Sequence, residues 1–129
     1  MALAPPAERD LRRVIGDGED IPDGEVEGLS EADLLELHRQ LVLLRTYDER
    51  SVVYHRQGRI GTYAIFWGHE AMQVGSSFAI ERDDWIFPSY RESAIGLLRG
   101  MPAATVLSWW RGHPAGWWNP VDWNVAWAL

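Results

Sequence analysis

Between Ser30 and Gly58, apolar residues return at Leu34, Leu37, Leu41 and Leu44, and Leu35, Val42 and Tyr47 widen the stripe. Steps of three and four residues bring side chains to one side of a 3.6-residue helix, so the spacing predicts one long amphipathic helix. Ser30 followed by Asp33 is a capping-box-like start, with Asp in place of the preferred Glu, and sets the first turn at about Glu31. Gly58 supplies the C-terminal stop. Glu36, Arg39, Asp48, Glu49 and Arg50 make up the polar side, expected to face solvent or another subunit.

Residues 1–28 show no such period. They are acidic and punctuated by Pro5-Pro6, Gly16-Asp17-Gly18 and Pro22-Asp23-Gly24, which predicts an extended arm ahead of a domain over 29–129. Downstream of the helix, elements are short. His69–Ile80 sets Ala71, Val74, Gly75 and Phe78 on one helical face. Trp85-Ile86-Phe87 is predicted as a short strand closed by Pro88. Arg91–Arg99 is predicted as a helix stopped by Gly100, and Pro102–Trp110 as another, opened by proline and stopped by Gly112. From His113 onward Pro, Gly, Asn and Trp dominate and no period survives. That irregular tail should expose Trp117, Trp118, Trp123 and Trp127 unless something covers them, and has the look of the middle of a longer protein.

Composition excludes several classes of function. With no cysteine, the chain has no disulfide framework, thiolate zinc site or cysteine nucleophile, and a reducing cytoplasm fits. The net charge is −7, with eight acids against three arginines in residues 1–30 and eleven against nine in the remainder. Phosphate-backbone binding needs clustered positive charge, so no nucleic-acid partner is expected despite eight Trp. All twelve basic residues are Arg. The start has no basic region followed by an apolar run, so no export signal is expected. No apolar run reaches membrane-spanning length, so no membrane is expected either.

Taken singly, the chemical motifs are weak: the chain has no Gly-rich phosphate loop, paired-His metal spacing or nucleophile elbow. Ser89-Tyr90-Arg91 is the candidate feature, since a phenol and a guanidinium beside each other can donate several hydrogen bonds to a phosphate. The plain alternative is Arg91 paired with Glu92 or Glu70 beside a half-buried Tyr90. His69 and His113 are of the residue type most used as a general base but read as loop or cap residues, and His38 and His55 fall within the long helix. Glu70 suits a helix N-terminus.

As an ordered series these segments carry more weight. Leu43-Leu44-Arg45-Thr46-Tyr47-Asp48-Glu49-Arg50 precedes Gln57-Gly58-Arg59 and Gly61-Thr62-Tyr63-Ala64. Gly68-His69-Glu70-Ala71, Gln73-Val74-Gly75 and Asp84–Glu92 come next, then Arg99-Gly100-Met101-Pro102, Arg111-Gly112-His113 and Asn124-Val125. Over residues 30–126 this series resembles the alpha subunit of the pyruvate and branched-chain 2-oxo acid dehydrogenases, with His69 where the family usually has Gln or Glu. The resemblance implies an α/β thiamine-diphosphate-binding fold, of which this stretch would be mostly helical with one short strand and an irregular C-terminal tail. It implies that Tyr90 and Arg91 reach the diphosphate of thiamine diphosphate and, more loosely, that Thr62 and Tyr63 line the substrate side.

Ala64, where the eukaryotic pyruvate-specific branch has a histidine, is similar to bacterial enzymes. The family reaction is oxidative decarboxylation of a 2-oxo acid with acyl transfer to lipoamide. The implied partners are a beta subunit and a lipoyl-bearing acyltransferase. The family's magnesium ligands, a Gly-Asp-Gly segment and a later Asn, come after the matched series, whereas Gly16-Asp17-Gly18 precedes it; its ring-activating Glu lies on the beta subunit, so no catalysis by the chain alone is expected. The rival expectation is a non-enzymatic helical interaction module or a gene remnant.

Overall fold

The computed structural model describes residues 28–127; the arm expected over 1–28 lies, apart from Gly28, outside the described residues. Helix α1 spans Glu31–Arg56, α2 Glu70–Ala79, α3 Ile95–Leu98 and α4 Ala103–Trp110. Two single 3-10 turns follow, at Pro114–Gly116 and Pro120–Asp122. α1 packs on α2, α2 on α3, α3 on α4, and α4 on the Pro114–Gly116 turn.

α1 starts and stops where its sequence signals lie. At Gly58 (φ 68°) the Gly58 N–H donates to the His55 carbonyl and the Arg59 N–H to the Tyr54 carbonyl, both at 2.9 Å. That pair of bonds is a Schellman end, and it needs the left-handed conformation that glycine adopts without penalty. The same two bonds close α3 at Gly100 and α4 at Gly112.

The polar side of α1 needs one correction. Asp48 is only 1% exposed and shares the core-facing side with Leu44, Tyr47 and Ser51. Its carboxylate accepts from the Tyr63 hydroxyl and the Phe66 N–H, and those bonds offset its burial. Conversely, Leu35 and Val42 of the expected apolar stripe stand exposed on the opposite side, as does Val53 further along the helix. They are spaced to stack at a 3.6-residue period, and at 1.5 Å per residue they mark an apolar edge about 27 Å long. α1 is therefore apolar on two sides.

α2 also turns differently from its expected face. Glu70, Gln73 and Val74 are buried, whereas Ala71, Gly75 and Phe78 are exposed. Polar partners inside the fold decided this, since Glu70 meets Arg45 and Gln73 meets the Arg91 carbonyl. The helix expected over Arg91–Arg99 shrinks to Ile95–Leu98 for a related reason. The Arg91 carbonyl is taken by Gln73 Nε2 at 3.2 Å, and the Ile95 N–H donates to Glu92 instead.

The expected strand at Trp85-Ile86-Phe87 does not form. Ile86 makes a single parallel bridge to Val125, through Ile86 N–H to the Asn124 carbonyl and Ala126 N–H to the Ile86 carbonyl. Pro88 has no N–H to extend the pairing, and Asn124 at φ 52° bends the partner segment away. The described residues thus contain helices, turns and this one bridge, and the α/β character implied by the resemblance is not displayed in them.

The Trp-rich tail is not partnerless. Val125 is fully buried, and Trp118, Trp123 and Trp127 pack partly buried against the core. Trp118 Nε1 donates to the Val125 carbonyl at 3.1 Å. The Trp127 ring lies 4.6 Å from that of Trp109 on α4 and 4.4 Å from that of Trp118, centroid to centroid. Trp117 alone of the four stays open, at 79% exposure. The centre of the fold is Leu44, Tyr47, Phe66, Val74, Leu97, Met101 and Val106.

Candidate functional site

Tyr90 and Arg91 stand side by side in the segment that leads from the Ile86 bridge to α3. Tyr90 is 61% exposed, not half-buried, and its hydroxyl lies 3.5 Å from Arg91 Nε. The guanidinium carbon sits 5.7 Å from the Tyr90 ring centroid, within cation–π range. Arg91 Nη1 donates to the Ile65 carbonyl at 3.2 Å. Glu70, one candidate acid partner, is bound to Arg45 instead. Of the five N–H donors of a guanidinium, those bonds engage two, and Arg91 is an exposed residue.

Ile65 belongs to the loop after α1 that also carries Thr62 and Tyr63, so the structure brings that loop and the Tyr-Arg pair together through the Ile65 carbonyl. Thr62 is exposed. Tyr63 turns the other way: it is 8% exposed, its hydroxyl donates to Asp48 Oδ1 at 2.8 Å, and its ring meets Trp110 edge-on at 5.3 Å. Burial, reinforced by the Asp48 carboxylate, raises the Tyr63 phenol far above its ordinary range. Tyr47 is raised as well, chiefly by burial.

Arg45 and Glu70 tie α1 to the N-terminus of α2. Their Nε and Oε1 lie 2.6 Å apart, Glu70 Oε2 accepts from the Gly68 N–H at 2.8 Å, and the Arg45 guanidinium carbon sits 5.1 Å from the Trp67 ring centroid. Burial pushes the Glu70 carboxyl up, but Arg45 and the backbone N–H groups outweigh it and hold the group below its ordinary value. Arg45 is raised in turn, first by its hydrogen bond to Glu70. His113 is a capping residue as expected, its ring nitrogen accepting from the Ala115 N–H.

The residues that sequence reasoning missed are Asp48, Gln73 and Arg45. For Asp48 a signal existed, because it shares a helical face with Leu44 and Ser51 four and three positions away. For Gln73 and Arg45, nothing local announces partners 18 and 25 residues distant.

Two hollows lie beside this framework. One of roughly 700 Å³ runs between the end of α1 and α4 and is lined by Tyr54, Arg59, Leu107 and Arg111 among others. The second, roughly 430 Å³, lies over Val42, Arg45 and Glu70. Tyr90 and Arg91 line neither. Among the described residues no group of three or more His, Cys, Asp or Glu side chains is placed to hold a metal ion, and no helix is long and apolar enough to cross a membrane.

The Tyr-Arg pair is thus exposed and is braced by the loop that follows α1. Residues 38–119 match the family described as the dehydrogenase E1 component, and the chain belongs to that family. Its relatives include the pyruvate dehydrogenase E1 component subunit alpha of Bacillus subtilis, 36% identical over 108 residues, which make up 84% of this chain and 29% of that protein. The subunit of the same description from Bacillus cereus is 39% identical over the same shares, and that from Staphylococcus aureus is 38% identical over 91 residues, 70% of this chain and 25% of that one. The chain therefore spans less than a third of the length of the curated relatives it matches.

Proposed function

We propose that this chain supplies the first part of the alpha subunit of a bacterial thiamine-diphosphate-dependent 2-oxo acid dehydrogenase, with Arg91 and Tyr90 contributing contacts to the cofactor's diphosphate. The observation that carries this is the exposed Arg91, its guanidinium anchored by the Ile65 carbonyl beside an exposed phenol. That donor set suits a phosphate: a delocalised cation with several N–H groups in a fixed fork, plus one neutral hydroxyl. The cofactor, when bound, supplies the carbon centre at which a 2-oxo acid loses carbon dioxide. The magnesium ion that would accompany it needs ligands from elsewhere in the assembly.

Thr62, exposed on the loop braced by Arg91, is the candidate for the substrate side, while Tyr63 acts through the position of the loop. A pyruvate or branched-chain 2-oxo acid is the substrate class, a beta subunit and a lipoyl-bearing acyltransferase are the partners, and the compartment is the cytoplasm.

The test is a thiamine diphosphate titration of the chain joined with the remaining alpha-subunit portion and the beta subunit. Arg91→Ala should weaken the cofactor by about ten- to a hundred-fold, the scale of one charge-assisted hydrogen bond, and Tyr90→Phe by less. Unchanged affinity in Arg91→Ala would refute the assignment. A second role, as a non-enzymatic interaction module, is favoured by the tail, whose Val125, Trp118 and Trp127 cover the core from within the chain. Detectable 2-oxo acid turnover on completing the assembly would exclude it.

A further inference from the structure

We infer that Asp48, a buried residue of α1, is a positioning residue for Arg91: it clamps the loop on both sides of Ile65, whose carbonyl holds the guanidinium.

The clamp has two jaws. Asp48 Oδ1 accepts from the Tyr63 hydroxyl at 2.8 Å and from the Phe66 N–H at 3.3 Å, so the residues two before and one after Ile65 are both tied to one oxygen. A further bond continues the brace, since the His69 N–H donates to the Phe66 carbonyl at 2.8 Å. With Tyr63 and Phe66 fixed, the peptide plane of Ile65 has little freedom, and its carbonyl is directed at Arg91 Nη1. The backbone of Arg91 is fixed independently, by Gln73 Nε2 of α2 to its carbonyl. Asp48 and Gln73 are each 1% exposed. A buried carboxylate that neither faces solvent nor meets a cation in these bonds is costly unless its acceptor positions are used, and here loop donors use them. The loop in turn orients the Arg91 fork. Preorganisation of this kind lowers the ordering penalty when an anion arrives. The anion at the far end is the diphosphate of the preceding section, and this inference rests on that proposal for the ligand but not for the clamp.

Nuclear magnetic resonance of the 129-residue chain labelled with 15N-arginine, recorded at low temperature where guanidinium Nη–Hη protons are observable, tests the two separately, with the Arg91 Nη1–Hη signal assigned by its loss in Arg91→Lys. In Asp48→Ala, water exchange at that signal should quicken by about tenfold, the factor that corresponds to one lost hydrogen bond of about 1.4 kcal/mol. Asp48→Asn, which keeps an acceptor oxygen in place, should restore most of the protection. Trp118→Phe removes a part-buried hydrogen bond away from the loop, from Trp118 Nε1 to the Val125 carbonyl, and should leave the Arg91 signal unmoved. If Asp48→Ala does not fold, Tyr63→Phe opens one jaw alone and should give a smaller increase. An Arg91 signal as protected in a folded Asp48→Ala or in Tyr63→Phe as in the parent overturns the clamp, and so does an equal loss in Trp118→Phe. Inorganic pyrophosphate added to the parent chain reports on the ligand: an Arg91 signal that ignores it counts against diphosphate binding, while the exchange rates still decide the clamp.

Discussion

Arg45 Nε and Glu70 Oε1 lie 2.6 Å apart, joining the middle of α1 to the first turn of α2. The pair is asymmetric, since Glu70 is buried and Arg45 is partly open to solvent. Because the folded state holds the Glu70 carboxyl below its ordinary 4.5, it binds that proton less readily than the unfolded chain does. Its contribution is present above about pH 4.5 and fades as pH falls through the lowered value. Urea unfolding followed from pH 7 to pH 3 should show that loss in the parent and not in Glu70→Gln. At pH 7 the substitution should cost about 1 kcal/mol, the charged hydrogen bond being discounted for water on the Arg45 side. Parallel pH profiles for the two proteins would contradict this.

At the alkaline end the sign reverses. Burial raises the phenols of Tyr63 and Tyr47 above their ordinary 10.0, so the unfolded chain ionises first and stability declines above about pH 10. Absorbance of phenolate at 295 nm should rise in two stages: exposed tyrosines first, and Tyr47 and Tyr63 only together with loss of near-ultraviolet circular dichroism. Tyr63→Phe, which strips a donor from buried Asp48, should lower stability at pH 7 by about 1–3 kcal/mol. A single smooth titration with the fold intact would sink this account.

Gly116 lies against the backbone of α4. A Cβ there would fall 2.0 Å from the Trp109 nitrogen and 2.4 Å from its Cα, and neither can swing aside as a flexible side chain can. Gly116→Ala should therefore lower stability by at least about 2–3 kcal/mol and detach the tail, read as lost Trp dichroism. Gly75→Ala makes the contrast. Nothing lies within 4 Å of its Cβ position on α2, so it should gain about 0.5–1 kcal/mol from helix propensity. Equal thermal midpoints for the two variants would count against the close approach.

The second apolar side of α1, with Leu35, Val42 and Val53, adds to exposed Trp67, Phe87 and Trp117. The isolated chain should self-associate through such surface and bind a hydrophobic dye. Sedimentation velocity should show association that falls in the double variant Leu35→Glu, Val42→Glu with little change in melting temperature. A monomeric parent, or a variant that associates as strongly, would show that this side is not responsible.

Local chemistry was legible in the sequence. The start of α1 after Ser30, its end at Gly58 and the stops at Gly100 and Gly112 all lie where caps and glycines place them, because those signals act on neighbours within a turn. The ordered short motifs were legible too, and they carried the family. Inward and outward were not. Asp48 became a core residue because Tyr63, 15 positions on, reaches back to it; Tyr63 faced inward for the same reason. Ile86 found a bridge but not a strand because its partner, Val125, sits at a bend. The Trp-rich tail looked bare until α4 and α3 were in place beneath it. Periodicity can say which residues share a side of a helix, but what that side will touch depends on segments far along the chain, and only tertiary packing brings them together.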